Sequence, residues 1–383
     1  MVLRQSMGSD ITALIESSHF KDTPFQVMLK YEVQVSAVDG CIPDAGYSFK
    51  DDGFFRTLKR RVATRLGRNA RDGPTILYKI RVAATLIAFL ISWGLCTFRP
   101  LWWPAVVVAS VSRIVLVGIG HEAIHGRCQS LWHLFDAMFL FPSDHWHFEH
   151  VTLHHPHTKR FGDNYKNPDA LHYDPDEDLN GLLRLHPLTP WRCFHRIQAA
   201  LQIVVAMFTT FAAFVEYHLI ACRSVVLGSV FCLCQLAPLF FAPDGGWIPV
   251  LIVILCANSL ILHAFHLSHV NERNGVYTMY EGVDWGEHQM RTTSSWQTSW
   301  YSISGMLEHQ IEHHLFPTLP YGVQRNVIRP IVQEVAKEFG LPYYEYKGGM
   351  LHGIFYHMVY MHILGERPVS TEDEAPYFLI SSE

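Results

Sequence analysis

Five apolar runs dominate the hydrophobic pattern of the chain, with polar residues between them. They cover residues 82–98, 101–120, 199–215, 224–242 and 247–265. Each run approaches the length of about 20 residues that an α-helix needs to cross the hydrocarbon core of a bilayer. Only a short link at Arg99 and Pro100 separates the first two runs, so the pattern predicts a helical hairpin there.

Two polar, histidine-rich stretches flank the last three runs, residues 121–198 and 267 onward. If both stretches contribute to one site, they lie on the same side of the membrane, and an even number of runs crosses between them. The run 199–215 is the weakest, because it follows His195 and continues into Glu216. We therefore predict that it lies along the interface as an amphipathic helix. The predicted spans are about 82–98, 101–120, 224–242 and 247–265.

The charge pattern orients these spans. Residues 56–81 carry nine lysines and arginines against the single acid Asp72, directly before the first run. The positive-inside rule places this end, and with it both termini, in the cytosol. We predict three regions: a cytosolic N-terminal region (1–75), a membrane domain (76–365) and a C-terminal tail (366–383). The stretch 348–365 contains three histidines, which favours a docked helix over a fifth crossing.

Composition narrows the functional class. Of 383 residues, 49% are hydrophobic and 17% charged, and 30 basic against 35 acidic side chains leave a net charge of −5. These values exclude a disordered chain, a coiled coil and a nucleic-acid binder. The eight cysteines have no paired spacing, so we predict reduced thiols. Residues 1–23 have no apolar core behind a basic start, so we expect no signal peptide.

Histidine is the exception in this composition, with 24 residues, some of which form three closely spaced boxes. The first box is His121-Glu-Ala-Ile-His125, whose i, i+4 spacing puts both imidazoles on one helix face. Alone, it also matches the H-E-x-x-H pattern of a zinc peptidase with Glu122 as the general base. The second box contributes His150, His154 and His155, and the third is Gln310-Ile-Glu-His313-His314. Two further histidines, His266 and His269, end the last apolar run.

The number of histidines favours two metal ions over one. A single zinc takes three protein ligands, which would leave most of these imidazoles unused. Seven or eight neutral imidazoles can hold two metals, and imidazole-rich coordination suits iron among other metals. Three nearby carboxylates are candidate hydrogen-bond acceptors that would orient the ring N–H groups of the ligands: Glu122, Glu149 and Glu312. The sequence therefore predicts an all-α membrane protein with four transmembrane helices and a cytosolic helical cap that holds a histidine-ligated dimetal site.

At these residues the chain resembles the integral-membrane fatty acid desaturase and hydroxylase superfamily, which is defined by three such histidine boxes. Its third box, Gln310-Ile-Glu-His-His-Leu-Phe-Pro317, is most similar to that of the front-end desaturase branch, where glutamine replaces the leading histidine. The resemblance implies two Fe ions bound by His121, His125, His150, His154, His155, His269, His313 and His314. It leaves Gln310, His266 and Glu122 as further candidates, either as metal ligands or as residues that orient the ligands.

The chain departs from that branch in three ways. The N-terminal region has no haem motif of a fused cytochrome b5 domain, so we expect a separate electron donor. The second box has three residues between His150 and His154, as in hydroxylases, and Glu122 stands where this branch often has aspartate. A diiron hydroxylase of fatty acids or sphingolipids therefore stays as the alternative to a desaturase, with a membrane zinc peptidase as the third reading.

The resemblance further implies an O2-dependent enzyme that introduces a cis double bond into a fatty acyl chain, carried as acyl-CoA or acyl-lipid. Cytochrome b5 and its reductase, or ferredoxin, would supply electrons, and the endoplasmic-reticulum membrane is the expected location. Four aromatic residues before the third box are candidate walls of a substrate tunnel, or else interfacial aromatics: Trp285, Trp296, Trp300 and Tyr301. Arg291 is a candidate head-group contact or a surface arginine.

Overall fold

The structure of the protein is a computed structural model, which describes residues 11–19, 27–28, 30, 47–67, 76–99, 102–127, 131–159, 182–185, 191–216, 226–274, 282–297 and 307–366. Within these ranges the backbone is mostly helical. The first half contains α1 (Thr12–Ser18), α2 (Phe54–Leu66), α3 (Ile76–Phe98), α4 (Trp103–Glu122), α5 (Trp132–Phe139), α6 (Ser143–Trp146) and α7 (His155–His157).

The second half contains α8 (Gln198–Ala213), α9 (Val226–Leu236), α10 (Pro238–Phe241), α11 (Trp247–His269), α12 (Trp285–Thr292), α13 (Gln310–Leu315), α14 (Tyr321–Val323), α15 (Arg329–Glu338) and α16 (Gly349–Glu366). A short parallel ladder joins β1 (Ser295–Trp296) to β2 (Glu345–Tyr346). Segments of π-helix cover Ala123–Arg127, His147–His154 and Gln324–Ile328, and a 3₁₀ turn covers Cys193–Ile197.

Four helical stretches in the described part of the chain are long and apolar enough to cross a membrane. They are Ile76–Phe98, Trp103–Gly126, Cys193–Glu216 and Trp247–His269. Side chains such as Ile87, Ile91 and Val107 are more than half exposed, as expected of apolar side chains that face lipid. The predicted class, an all-α membrane protein with four apolar helices and a histidine cluster, is confirmed.

The third long helix differs from the prediction. Cys193–Glu216 is 24 residues long, although we expected an interfacial helix over 199–215. Within the predicted span 224–242, the described residues instead form two short helices, α9 and α10, on either side of Ala237. Pro238 interrupts this run because it has no N–H and its ring clashes with the preceding turn. If Cys193–Glu216 crosses the membrane in place of 224–242, two crossings still separate the second and third boxes, as the parity argument requires.

The predicted hairpin of α3 and α4 packs on α5 through a glycine. A Cβ atom on Gly120 would lie 2.6 Å from the backbone nitrogen of Phe135. We therefore expect Gly120→Ala to destabilise the protein by about 1–3 kcal/mol, the usual cost of overpacking. Gly94→Ala in α3 is the matched control, because nothing lies within 4 Å of the added Cβ. Thermal unfolding in detergent should show a lower midpoint for Gly120→Ala only; equal midpoints would contradict this packing.

The helical cap is built around a second apolar core. Residues of α2, α12, α13 and α15 pack there, among them Phe55, Trp285, Ile311 and Val332. Arg61 of α2 forms a two-pronged ion pair with Glu338 of α15, with N–O distances of 2.7 and 2.6 Å. This core holds α13, which carries the third histidine box, against the membrane helices.

Helix α16 packs along the side of the bundle. The side-chain nitrogen of Gln198 in α8 donates to the carbonyl oxygen of Met361 over 2.6 Å. On the outer face of α16, the side chains of Leu351 and Phe355 are exposed. The helix packs on α8 and α11, and it is not one of the four described helices that are long and apolar enough to cross a membrane. That it docks on the bundle without crossing stays a prediction.

Candidate metal centre

The first histidine box lies where α4 changes into a π-helical turn. His121 occupies the last turn of α4, and His125 lies in Ala123–Arg127. Gly126 has a φ of 98°, a conformation that glycine adopts at no steric cost. Both imidazoles are buried, with 3% and 4% of their surface exposed. The wide turn therefore brings the two side chains inward together.

The second box is π-helical over His147–His154 and continues as α7. We expected an ordinary helix face for His150, His154 and His155. The π-turn is wider than an α-turn, and such segments are frequent at functional sites. All three imidazoles are buried at 3% exposure or less.

The third box is the short helix α13, which ends two residues before Pro317. Successive residues of an α-helix are about 100° apart, so adjacent side chains point in different directions. His313 contacts His121, with 4.9 Å between ring centroids, and His314 contacts His154 at 5.0 Å. One short helix therefore supplies an imidazole to each of two neighbouring clusters.

These side chains form two groups in which the candidate ligand atoms lie within 4.8 Å of one another. The first histidine group is His121, His125, His150 and His313. The second histidine group is His154, His269 and His314. Four separate segments of the chain meet in these groups, and every member is buried.

His155 lies between the two groups. Its Nε2 is 3.1 Å from Nε2 of His150 in the first group. Its ring stacks on that of His314 in the second group, with 4.3 Å between centroids. The structure therefore brings together all eight histidines that the sequence singled out as ligands, and His155 is the link between the groups.

Burial keeps these imidazoles neutral. The pKa values of His150, His155, His313 and His314 are held well below the usual 6.5, first by burial and then by the charge that neighbouring imidazoles would carry. A neutral imidazole presents one nitrogen lone pair, which is the form that binds metals. The buried histidine cluster therefore presents nitrogen lone pairs that can bind metal ions.

Several of these ring nitrogens have no hydrogen-bond partner among the described residues. Nε2 of His313 and Nε2 of His314 are buried and make no hydrogen bond within the described part of the chain. In the first group, Nε2 of His121 lies only 2.7 Å from Nε2 of His150. Buried polar atoms without partners are costly, and metal ions would satisfy them. The residues present therefore fit a metal site.

Three predicted residues lie outside the two groups. Gln310 lines a small cavity beside the first group, together with Glu122 and Tyr321. Nδ1 of His266 lies 3.2 Å from Nε2 of Gln202 in α8, away from both groups. Glu122 accepts a hydrogen bond from the backbone N–H of Tyr321 over 3.0 Å. This bond ties the first box to the segment after the third.

The other carboxylates also have partners away from the histidine groups. Glu149 pairs with His145 at 2.8 Å. Glu312 accepts from the Tyr343 hydroxyl over 2.7 Å, and burial raises its pKa to about 7.

Sequence reasoning missed the residues that form hydrogen bonds to the imidazoles of the second histidine group. The Gln289 side chain and the Thr292 carbonyl, both in α12, lie against His314 and His269 respectively, at 3.1 Å each. No spacing relates Gln289 to the boxes. The only local signal is Asp284 followed by Glu287, a helix-start pattern that marks α12 itself.

Two of the four aromatic residues proposed for a tunnel lie in apolar cores. Trp285 donates from Nε1 to the carbonyl oxygen of Pro156 over 3.1 Å and packs in the core of the cap. Trp296 is buried in β1 beside Leu267 and Tyr346. Trp300 and Tyr301 lie outside the described residues. Arg291 forms an ion pair with Glu287 at 2.9 Å on the partly exposed side of α12.

Comparisons with known proteins agree with this arrangement. A family model described as Fatty acid desaturase matches residues 97–347. The chain is 24% identical to an sn-1 linoleoyl-lipid 6-desaturase of Synechocystis sp., over 77% of this chain and 90% of that protein. It is 26% identical to an acyl-lipid (8-3)-desaturase of Physcomitrium patens, over 88% and 78%. A cytochrome b5-related protein of Drosophila melanogaster is 23% identical, over 88% and 77%.

Proposed function

Because this chain belongs to the fatty acid desaturase family, we propose that it introduces a cis double bond into a fatty acyl chain with two iron ions held by buried histidines. The observation that carries the proposal is the pair of buried imidazole groups, which His155 links and to which the adjacent His313 and His314 contribute one ring each. The enzyme is an oxidoreductase of a membrane, with fatty acyl substrates.

The two groups would each hold one ion. The first position would use His121, His125, His150 and His313, and the second His154, His269 and His314. His155 lies within reach of both. When bound, a pair of iron ions supplies the oxidation of unactivated C–H bonds with O2. The overall reaction takes a –CH2–CH2– unit, O2, two electrons and two protons to a –CH=CH– unit and two waters.

The protein's own residues contribute a dry and ordered environment. Burial keeps bulk water from the imidazoles, and the low pKa values of His150, His313 and His314 keep their lone pairs available. Short contacts across the boxes, such as 2.7 Å between His121 and His150, predispose the rings to converge on a common ligand. Pre-positioned groups of this kind need little reorganisation when the ions and substrate bind.

Two alternatives are less well supported. A hydroxylase would use the same ligands, but two of the three relatives reported above are named as desaturases. A zinc peptidase needs the H-E-x-x-H glutamate as a general base for water. Here Glu122 accepts a backbone N–H of Tyr321, and its two histidines join five or six others. The geometry therefore favours a dimetal oxidoreductase over a peptidase.

The substrate we propose is an acyl chain on a lipid or on CoA, desaturated towards its carboxyl end as in the front-end branch. Gln310 at the head of the third box and the names of the acyl-lipid relatives support this. The test is expression in yeast fed with defined fatty acids, followed by lipid mass spectrometry. We expect a product two mass units lighter than the fed acid; a product heavier by one oxygen would identify a hydroxylase instead.

We further propose that the metal centre faces the cytosol in the endoplasmic-reticulum membrane. The basic residues before α3 and the even number of crossings between the boxes support this orientation. Glycosylation acceptors introduced near Asn167 and Arg291 should both stay unmodified. Modification of either one would contradict a shared cytosolic location of the second and third boxes.

The electrons would come from cytochrome b5 and its reductase. The 383 residues contain no haem motif, no glycine-rich dinucleotide fingerprint and no cysteine set spaced for an iron–sulfur cluster. The similarity to a cytochrome b5-related protein supports the same donor. Ferredoxin is the alternative donor.

A further inference from the structure

Helix α12 lies directly behind the second histidine group and is firmly anchored. Asp284 caps its first turn by accepting hydrogen bonds from the backbone N–H groups of Gly286 and Glu287. Trp285 ties the same turn to the second box through its bond to Pro156. Helix α12 is therefore a rigid support for whatever its inner face contacts.

The side-chain amide of Gln289 on this helix is fully buried, and its two ends meet different partners. Its nitrogen lies 3.0 Å from the carbonyl oxygen of His155, which can only accept a hydrogen bond. The opposite end is therefore the oxygen, and it lies 3.1 Å from Nδ1 of His314. Since an amide oxygen only accepts, Nδ1 of His314 carries the proton and Nε2 presents its lone pair.

His269 is oriented by the same helix. Its Nδ1 lies 3.1 Å from the carbonyl oxygen of Thr292, so this nitrogen is also the protonated one. The Thr158 hydroxyl lies 3.1 Å from both the Gln289 oxygen and Nδ1 of His314, and 3.0 Å from the carbonyl oxygen of His154, so it bridges the same arrangement. Two of the three imidazoles of the second group therefore have their tautomer set by α12.

The first histidine group has a different support. Nδ1 of His125 is buried and has no hydrogen-bond partner within the described residues. The imidazole rings of the first histidine group are arranged mainly by contacts with one another, as between His121 and His150. The two groups therefore differ in what holds their imidazoles, and Gln289 serves only the second.

We propose that Gln289 is a positioning residue for the second metal position, which sets the tautomer and ring orientation of His314 without itself binding a metal. The inference rests on the proposed dimetal function. Loss of a hydrogen-bond partner behind a metal ligand typically lowers metal affinity by about 10–100-fold. Replacement of Gln289 should therefore weaken one metal position and leave the other unchanged.

The test is a metal titration of the metal-free, full-length protein in detergent under anaerobic conditions. Fe(II) bound per chain is counted after dialysis, and Co(II) serves as a visible-absorption probe of histidine coordination. We expect two ions per wild-type chain. Gln289→Leu should bind one ion at the concentration that saturates the wild type, and the second only at about 10–100-fold higher free metal. Gln289→Glu keeps an oxygen acceptor for Nδ1 and should retain both ions with a shifted Co(II) spectrum.

Gln198→Leu is the matched control, because it also removes a buried amide, one that bonds Arg184 and Met361. It should bind both ions as the wild type does. Wild-type affinity of Gln289→Leu for both ions, or loss of one ion in Gln198→Leu too, would overturn the role of Gln289 while the dimetal function stands. Fewer than two ions in the wild type would overturn the dimetal function and this inference together.

Discussion

Exchange of His314 for alanine is expected to abolish desaturation and to remove metal from the second position. His314 belongs to the second histidine group, and its ring also stacks on His155, which links the two groups. Loss of a hydrogen-bond partner of a metal ligand typically lowers metal affinity or activity by about 10–100-fold. Loss of the ligand itself should therefore lower them by more than about 100-fold. Product formation in yeast and elemental analysis of the purified variant measure the two effects.

The matched control for this substitution is His309→Ala. His309 is also buried in the third box region, but its ring stacks on Tyr321 and belongs to neither histidine group. We expect this variant to keep its metal and most of its activity. Wild-type turnover in His314→Ala would show that His314 is not a metal ligand. Loss of metal in both variants would indicate that the effect is one of folding.

Purified protein supplied with NADH, O2 and substrate is expected to stay inactive until cytochrome b5 and its reductase are both added. Each turnover consumes two electrons, and the 383 residues offer no haem, flavin or iron–sulfur motif to deliver them. The expected difference is therefore between no detectable product and sustained turnover. Oxygen consumption and product analysis by mass spectrometry follow it directly.

Ferredoxin with its own reductase is the control donor in the same assay. We expect it to support little or no turnover. If ferredoxin sustains the reaction and cytochrome b5 does not, the proposed donor is wrong, and the endoplasmic-reticulum location loses its main support. Sustained turnover with NADH alone would contradict the need for a separate donor.

Features that depend on short stretches of sequence could be predicted. The hairpin of α3 and α4 follows from two adjacent apolar runs, and its helices begin within a few residues of the expected positions. The box histidines could be recognised because their spacings, such as that of His121 and His125, place side chains on one side of a helical turn. Counting imidazoles then indicated more than one metal.

The choice of the third long helix required the folded chain. The polar residues that flank 199–215 made it the weakest run in the sequence, but in the structure it is Pro238 that divides the run 224–242 into two short helices. The 3₁₀ turn that begins at Cys193 lengthens the helix over 199–215 to 24 residues. Trp285 likewise looked like a tunnel wall from its position in the chain, whereas its surroundings are the core of the cap.

The sequence by itself determined the composition of the site: which histidines occur and in which boxes. These are local properties, set by residue spacing and helix geometry. Only the tertiary structure decided that His313 joins the first group and His314 the second, that His155 lies between them, and that Gln289 supports His314. Those relations join segments up to about 190 residues apart, as in the contact of His121 with His313. They depend on how α11, α12 and α13 pack on the boxes, and no spacing along the chain encodes that packing.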